Sequence, residues 1–172
     1  MRTPIVAAVA ACVLASLTGC GANFRAQTNT QYQPADGVSD RTSDIYAINT
    51  LVVADDDSNG TVVVSLINQA ADADKLVSLT AEDSDGGGIK VAPLPSDGIE
   101  LESQTAVDTA FDGTLRVNGE SVTPGTLVVL TFGFQNAGQL RVEVPVVPQG
   151  TTYSEVPVAT KRMSVVKDGA DS

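Results

Sequence analysis

Two stretches of this chain combine residue types at spacings that can do chemistry. The first is Leu17-Thr18-Gly19-Cys20, which closes a short apolar run beginning after Arg2. Leucine, a small residue and glycine directly before a cysteine form a bacterial lipobox. A diacylglycerol is attached to the sulfur of Cys20, and the chain is cut just before it. The second is Asp55-x-Asp57-x-Asn59-Gly60, which matches the first half of a calcium loop. Oxygen ligands at alternate positions and a glycine at the sharp turn are what Ca²⁺ needs. The closing bidentate glutamate would fall at Leu66, so Asp55, Asp57 and Asn59 are weak calcium candidates only. Clusters of Asp, Asn and Gly between strands are the ordinary chemistry of turns. Asp83-Ser84-Asp85-Gly86 is a second, weaker acidic loop.

The segment ahead of Cys20 fits its proposed use. Arg2 supplies a positive start, and Ile5 to Leu17 are apolar except for Ser16. That run is too short to span roughly 30 Å of hydrocarbon but suits a signal-peptide core. Residues 1–19 are therefore expected to be a lipoprotein signal peptide, with Cys20 the lipidated first residue. One acyl chain binds a membrane marginally and two or more bind it stably, so the expected location is the outer face of the cell membrane. Gly21 rather than aspartate follows, so no special sorting signal is read.

Composition excludes several functions. The chain has no histidine, which removes the Ser-His-Asp triad, imidazole acid/base catalysis and every His-ligated metal site. Of its two cysteines, Cys12 leaves with the signal and Cys20 carries lipid, so the mature domain has no disulfide and no thiolate nucleophile. Cleavage removes Arg2 and no acid, leaving nine basic residues against 21 acidic ones, a net charge of −12. Such a charge argues against a nucleic-acid partner, whose binding rests on Lys and Arg, and against adsorption to anionic headgroups. Glu100, Glu102, Asp108 and Asp112 are scattered acids of the kind this charge makes common. Ser65, Ser78 and Ser121 have no base partner in a recognisable motif. No enzyme and no cofactor is expected.

The elements that must position any site are short strands. Residues 20–43 are polar, with Pro34 and Gly37, and read as a lipidated flexible linker. Its 23 residues after the cysteine have a typical end-to-end distance of about 25–30 Å. From 44 to 148, β-rich runs alternate with turn residues. They include Ile45–Val53, Thr61–Ile67, Leu76–Ala81 and Thr105–Phe111. Asn118-Gly119, between Leu115–Val117 and Ser121–Val122, predicts a hairpin with positive φ at both positions. Leu127–Phe134 is nearly continuous apolar, as in a central strand. Gln139–Val147 alternates, with Leu140, Val142, Val144 and Val146 on one face, and Pro145 places this strand at an edge or a bulge. The prediction is an all-β fold, an antiparallel β-sandwich of the immunoglobulin-like Greek-key kind. Residues 149–172 are expected to be a mostly disordered tail with one strand near Val156–Val158.

Several short stretches, in order, resemble a known family. Val62-Val63-Val64-Ser65-Leu66-Ile67-Asn68 followed by Ala73-Asp74-Lys75-Leu76-Val77-Ser78 is similar to a stretch of the periplasmic copper chaperones of the PCuAC type. So are Thr123-Pro124-Gly125-Thr126-Leu127, Leu130-Thr131-Phe132, Ala137-Gly138 and Val142-Glu143-Val144-Pro145-Val146. The resemblance covers roughly 44–147 and is closest to the family's actinobacterial lipoproteins. It implies a cupredoxin-like sandwich and a copper site of His and Met on two loops. It puts the first histidine near Ala92, the His-x-Met pair near Asp112 and Thr114, and a shortened Met-rich hairpin at Ala92–Ser96. The only methionines are Met1 and Met163, and soft Cu(I) wants thioether, thiolate or imidazole. The expectation is a scaffold without its copper ligands: a lipid-anchored, non-enzymatic binding or adaptor lipoprotein with an envelope-protein partner. The alternative is metal handling, either as a divergent copper chaperone using partner-supplied ligands or as a weak calcium-binding domain.

Overall fold

The computed structural model describes residues 36–111 and 113–158. The lipobox residues Leu17, Thr18, Gly19 and Cys20, most of the expected linker, Asp112 and Met163 lie outside the described residues. Ten strands follow in order: β1 Val38–Asp40, β2 Ile45–Ala54, β3 Asn59–Asn68, β4 Asp74–Asp83, β5 Gly88–Val91, β6 Ile99–Leu101, β7 Ala106–Asp108, β8 Arg116–Asn118, β9 Leu127–Phe134 and β10 Gln139–Pro148. One 3-10 turn, Thr151–Tyr153, comes after them. None of the described helical structure is long and apolar enough to cross a membrane.

The fold is an all-β sandwich whose two sheets join at two strands. In the first sheet, β2 and β3 pair along their length, from Ile45↔Asn68 to Ala54↔Gly60. The outer edge of β2 is shared by β1 and the end of β10, and the outer edge of β3 by β7 and β8. In the second sheet, β9 lies between β10 and β4, and the far edge of β4 is shared by β5 and β6. β5 leaves β4 at Ile89 and pairs with β8 through Lys90 and Val91. β10 pairs with β9 up to Pro145 and with β2 from Val146 onward. The ring therefore closes as a flattened barrel. Every named strand pairing is antiparallel except β10 with β2.

Pro145 explains where β10 changes sheets. The Val146 N–H donates to the Thr126 carbonyl, so the nitrogen of Pro145, one residue earlier, faces away from β9. A missing donor costs nothing there, because the pairing with β2 has not yet begun. β9 is central, as its sequence predicts, with Val128, Val129, Leu130, Phe132, Gly133 and Phe134 all buried. The inward alternation of β10 is also as expected: Leu140, Val142, Val144 and Val146 are buried between the sheets with Leu66, Leu76, Leu101, Leu115 and Phe132.

A second, smaller cluster lies on the outer face of the first sheet. Leu51 and Val53 point outward there and are covered by Val156, Val158 and Tyr153. Residues 149–158, assigned to the tail on sequence, thus form a strap over this face. Gln149 Nε2 donates to the Val156 carbonyl at 2.7 Å and Thr61 Oγ1 to the Pro157 carbonyl at 2.8 Å. No strand forms at Val156–Val158; apolar contact rather than a ladder holds the segment. The folded part also begins earlier than residue 44, since β1 pairs with β2.

The hairpin expected at Asn118-Gly119 does not form. Neither residue has a positive φ, and Asn118 pairs with Asn59 in β3 and with Lys90 in β5. The Asn118 amide donates to the Ser58 carbonyl at 3.1 Å and to Asn59 Oδ1 at 3.0 Å. Long-range pairing on both sides of β8 outweighs the local turn preference. Ser121 and Val122 belong to a turn, with the Val122 N–H on the Gly119 carbonyl.

Candidate functional site

The open edges of β3 and β4 each carry a chain excursion at mid-length. On β3, Asp108 pairs with Ser65 and Arg116 with Thr61, so the chain between them leaves the ladder. On β4, β5 ends opposite Ala81 and β6 resumes opposite Leu76, so residues 92–98 leave it likewise. The β5–β8 ladder brings the bases of the two excursions together: the Ala92 N–H donates to the Arg116 carbonyl at 2.9 Å, and Thr114 is two residues before Arg116. Two of the positions to which the resemblance assigns copper ligands thus share one region of the sandwich. Ala92 offers no donor atom and Thr114 only a hydroxyl.

Two residues that carry the resemblance, Asn68 and Asp74, and one outside it, Thr109, have structural work instead. Asn68 is fully buried; its amide donates to the carbonyls of Asp72 and Leu101, and its oxygen accepts the Ala70 N–H. Asp74, 6% exposed, accepts the N–H groups of Lys75, Asn136 and Ala137. Thr109, also buried, donates to the Val62 carbonyl at 3.0 Å and accepts the Val64 N–H at 3.1 Å. Sequence reasoning did not single these out as anchors. Asn68 had one signal, a polar residue at the end of an apolar run; Asp74 and Thr109 had none.

Both acidic loops are the same kind of turn. Asp55 Oδ1 accepts the N–H groups of Asp57 and Asn59, both at 2.9 Å, and Asp83 Oδ1 accepts those of Asp85 and Gly87 at 3.0 and 2.6 Å. In each loop the fourth residue, Ser58 or Gly86, has a positive φ, as in a three-residue hairpin with a bulge. Asp55 Oδ2 accepts the Asn59 amide, and Asn59 Oδ1 accepts the Asn118 amide. Two of the three calcium candidates therefore lie in contact, the Asp55 oxygens bonded within the turn and the Asn59 oxygen to Asn118 of β8, while Asp57 is exposed. The Gly87 N–H, followed by the Ser121 hydroxyl, holds the Asp83 carboxyl below the ordinary carboxylate range. No group of three or more His, Cys, Asp or Glu side chains able to hold a metal gathers among the described residues.

The remaining candidates stay apart. Glu100 lies 3.8 Å from Lys75 in an exposed ion pair, worth little in water. Asp108 is exposed on β7, and Glu102 is exposed after β6. Ser121 donates to Asp83, while Ser65 and Ser78 stand in strand ladders. Asp57, Ser58, Lys90, Asn118 and Glu120 line an open groove of about 450 Å³ with the backbone of Gly88 and Gly119. Its lining holds one base, Lys90, and two acids, Asp57 and Glu120, and no nucleophile–base pair.

Comparison with known proteins identifies the scaffold. The apo PCuAC domain of PmoF1 superposes with a TM-score of 0.51 at 16% identity, covering 64% of this chain and 99% of that domain. The copper-bound PCuAC domain of PmoF2 superposes with a TM-score of 0.50 at 17% identity, covering 64% and 98%. The domain is PCuAC-like in fold. No protein-family model matches the chain, and no curated protein matches it.

Proposed function

We propose that this chain is a lipid-anchored extracytoplasmic binding module, non-enzymatic, built on a PCuAC-like scaffold that lacks the copper ligands. The observation that carries the reading is the chemistry at the excursions: Ala92 and Thr114 stand where the resemblance puts His and Met. The whole sequence has no histidine, and its methionines are Met1 and Met163. Hard hydroxyl and carboxylate oxygens do not compete for Cu(I) with sulfur or nitrogen chelators. The scaffold then serves to present loops to an envelope protein, tethered at Cys20 by the lipobox chemistry.

The test is a Cu(I) competition with a bathocuproine-type chelator, using the detergent-solubilised full chain. The expected result is no copper retained and no copper-dependent rise in melting temperature. Stoichiometric retention would replace the binding-module reading with copper handling, which the fold favours. Anchoring is checked separately. Cys20→Ala should abolish globomycin-sensitive processing and move the protein from the detergent phase to the aqueous phase.

A further inference from the structure

The excursion between β7 and β8 presents one aromatic side chain to solvent. Of the three phenylalanines among the described residues, Phe132 and Phe134 are 0% and 7% exposed, whereas Phe111 is 72% exposed. Single exposed apolar residues are common. What sets Phe111 apart is its frame. On one side, buried Thr109 is bonded through its hydroxyl to Val62 and Val64 of β3. On the other, fully buried Leu115 accepts the Val62 N–H at 2.8 Å through its carbonyl. Gly113, with φ of 60°, lies against Pro157 of the strap, and Arg116 Nε donates to its carbonyl at 2.6 Å. An aromatic side chain two residues from a buried, hydrogen-bonded anchor such as Thr109 loses less conformational freedom on binding than one on an unanchored segment.

Charge says what meets it. Between Val91 and Arg116 the sequence holds five acids and no base; Asp97, Glu102 and Asp108 are exposed, while Glu100 is paired with Lys75. Arg116, the first base after the loop, is turned back onto Gly113. A second copy of this chain or an anionic bilayer would bring like charge to like. We propose that Phe111 is the anchor of a protein-docking surface, filling an apolar pocket of an extracytoplasmic protein whose rim carries Lys or Arg. Aromatic anchors inside a polar rim carry most of the affinity of such contacts, and complementary charge speeds encounter. The assignment rests on the binding-module reading and names its surface.

The test places a photo-crosslinking phenylalanine analogue at position 111 of the full anchored chain in its cell envelope, with Thr80 and Arg141 of the opposite sheet as control positions. One protein should be captured from position 111 and identified by mass. Its purified form should bind the chain about 30-fold more weakly after Phe111→Ala, and more weakly as salt rises. The melting temperature of Phe111→Ala should match that of the parent, showing that the fold is intact. Binding of the Ala variant within about threefold of the parent would overturn the proposal. So would adducts at 111 with lipid or with another copy of the chain. Adducts at Thr80 or Arg141 in place of 111 would overturn this surface while leaving the binding-module reading intact. Absence of adducts at all three positions would count against both.

Discussion

The Asp74 carboxylate accepts the backbone N–H of Ala137 at 2.8 Å across 63 residues of sequence. Its other oxygen accepts the Asn136 N–H at 3.0 Å. The first residue of β4 thus holds the turn between β9, the centre of the second sheet, and β10, which links that sheet to the first. At 6% exposure, removal of the carboxylate leaves two turn amides without their charged acceptor. Asp74→Ala should therefore destabilise the domain by about 2–4 kcal/mol, since hydrogen bonds to a charged group are worth about 1.5–3 kcal/mol each and are not fully additive. Urea unfolding reads this as a lower midpoint at unchanged slope. A loss under about 0.5 kcal/mol, the range of ordinary surface substitutions, would remove Asp74 from this role.

Thr50 should behave in the opposite way. It is fully buried in β2, and its hydroxyl has no hydrogen-bond partner. The ladder with β3 shifts register between Ile48 and Leu51, and Asn49 there has φ of 52°. The irregularity places Thr50 in the interior without an acceptor. An unsatisfied buried polar group costs about 1–3 kcal/mol. Thr50→Val keeps the shape and removes the hydroxyl, so the expected outcome is a gain of about 1 kcal/mol, visible as a higher melting temperature. A loss of stability would mean that the hydroxyl is bonded in solution.

Sequence pattern reveals the parts of this fold whose causes are local. The alternation of Leu140, Val142, Val144 and Val146 and the apolar run of β9 state their own burial, because a strand's side chains change face at every residue. Asn118-Gly119 misleads because the same two residues are claimed by partners some sixty and thirty positions away. The strap is hidden for a related reason: Val156 and Val158 alternate as a strand would, and only the outer face of β2 shows that they cover Leu51 and Val53 without pairing. At the site, the resemblance locates the two excursions, and residue chemistry at Ala92 and Thr114 says what they lack. Phe111 is invisible beforehand, since nothing in its neighbours distinguishes an exposed phenylalanine from a core one.

The two acidic turns supply an internal comparison. Gly86 holds the left-handed position with φ of 84°, while Ser58 holds the same position with φ of 62°. A side chain there costs about 1–2 kcal/mol, offset in part by the greater freedom glycine loses on folding. The contacts that Ser58 makes to Asn118 and Gly119 run through its carbonyl and survive substitution. Ser58→Gly should therefore stabilise by about 0.5–1 kcal/mol, and Gly86→Ser should destabilise by a similar amount. Unfolding midpoints of the two variants check both signs. If Ser58→Gly is destabilising, the strain argument fails.

The strap carries the clearest pH signature. The Tyr153 hydroxyl donates to Asp36 Oδ2 at 2.9 Å, joining the strap to the start of the folded domain. Desolvation, then the hydrogen bond and charge of Asp36, push the Tyr153 phenol up to about 12. The folded state thus holds this proton more tightly than the unfolded chain, whose tyrosine ionises near the ordinary value of about 10. The contribution to stability is fully present below about pH 10 and is lost as pH rises through about 12. The contact is largely solvated, so the effect on global stability is small, and ionisation of Tyr153 itself is the sharper readout. Subtracting the ultraviolet titration of Tyr153→Phe from that of the parent should leave one phenol ionising near 12. The stability difference between the two proteins should shrink over the same interval. A difference titration centred near 10 would show that the clasp between strap and amino-terminal edge is open in solution.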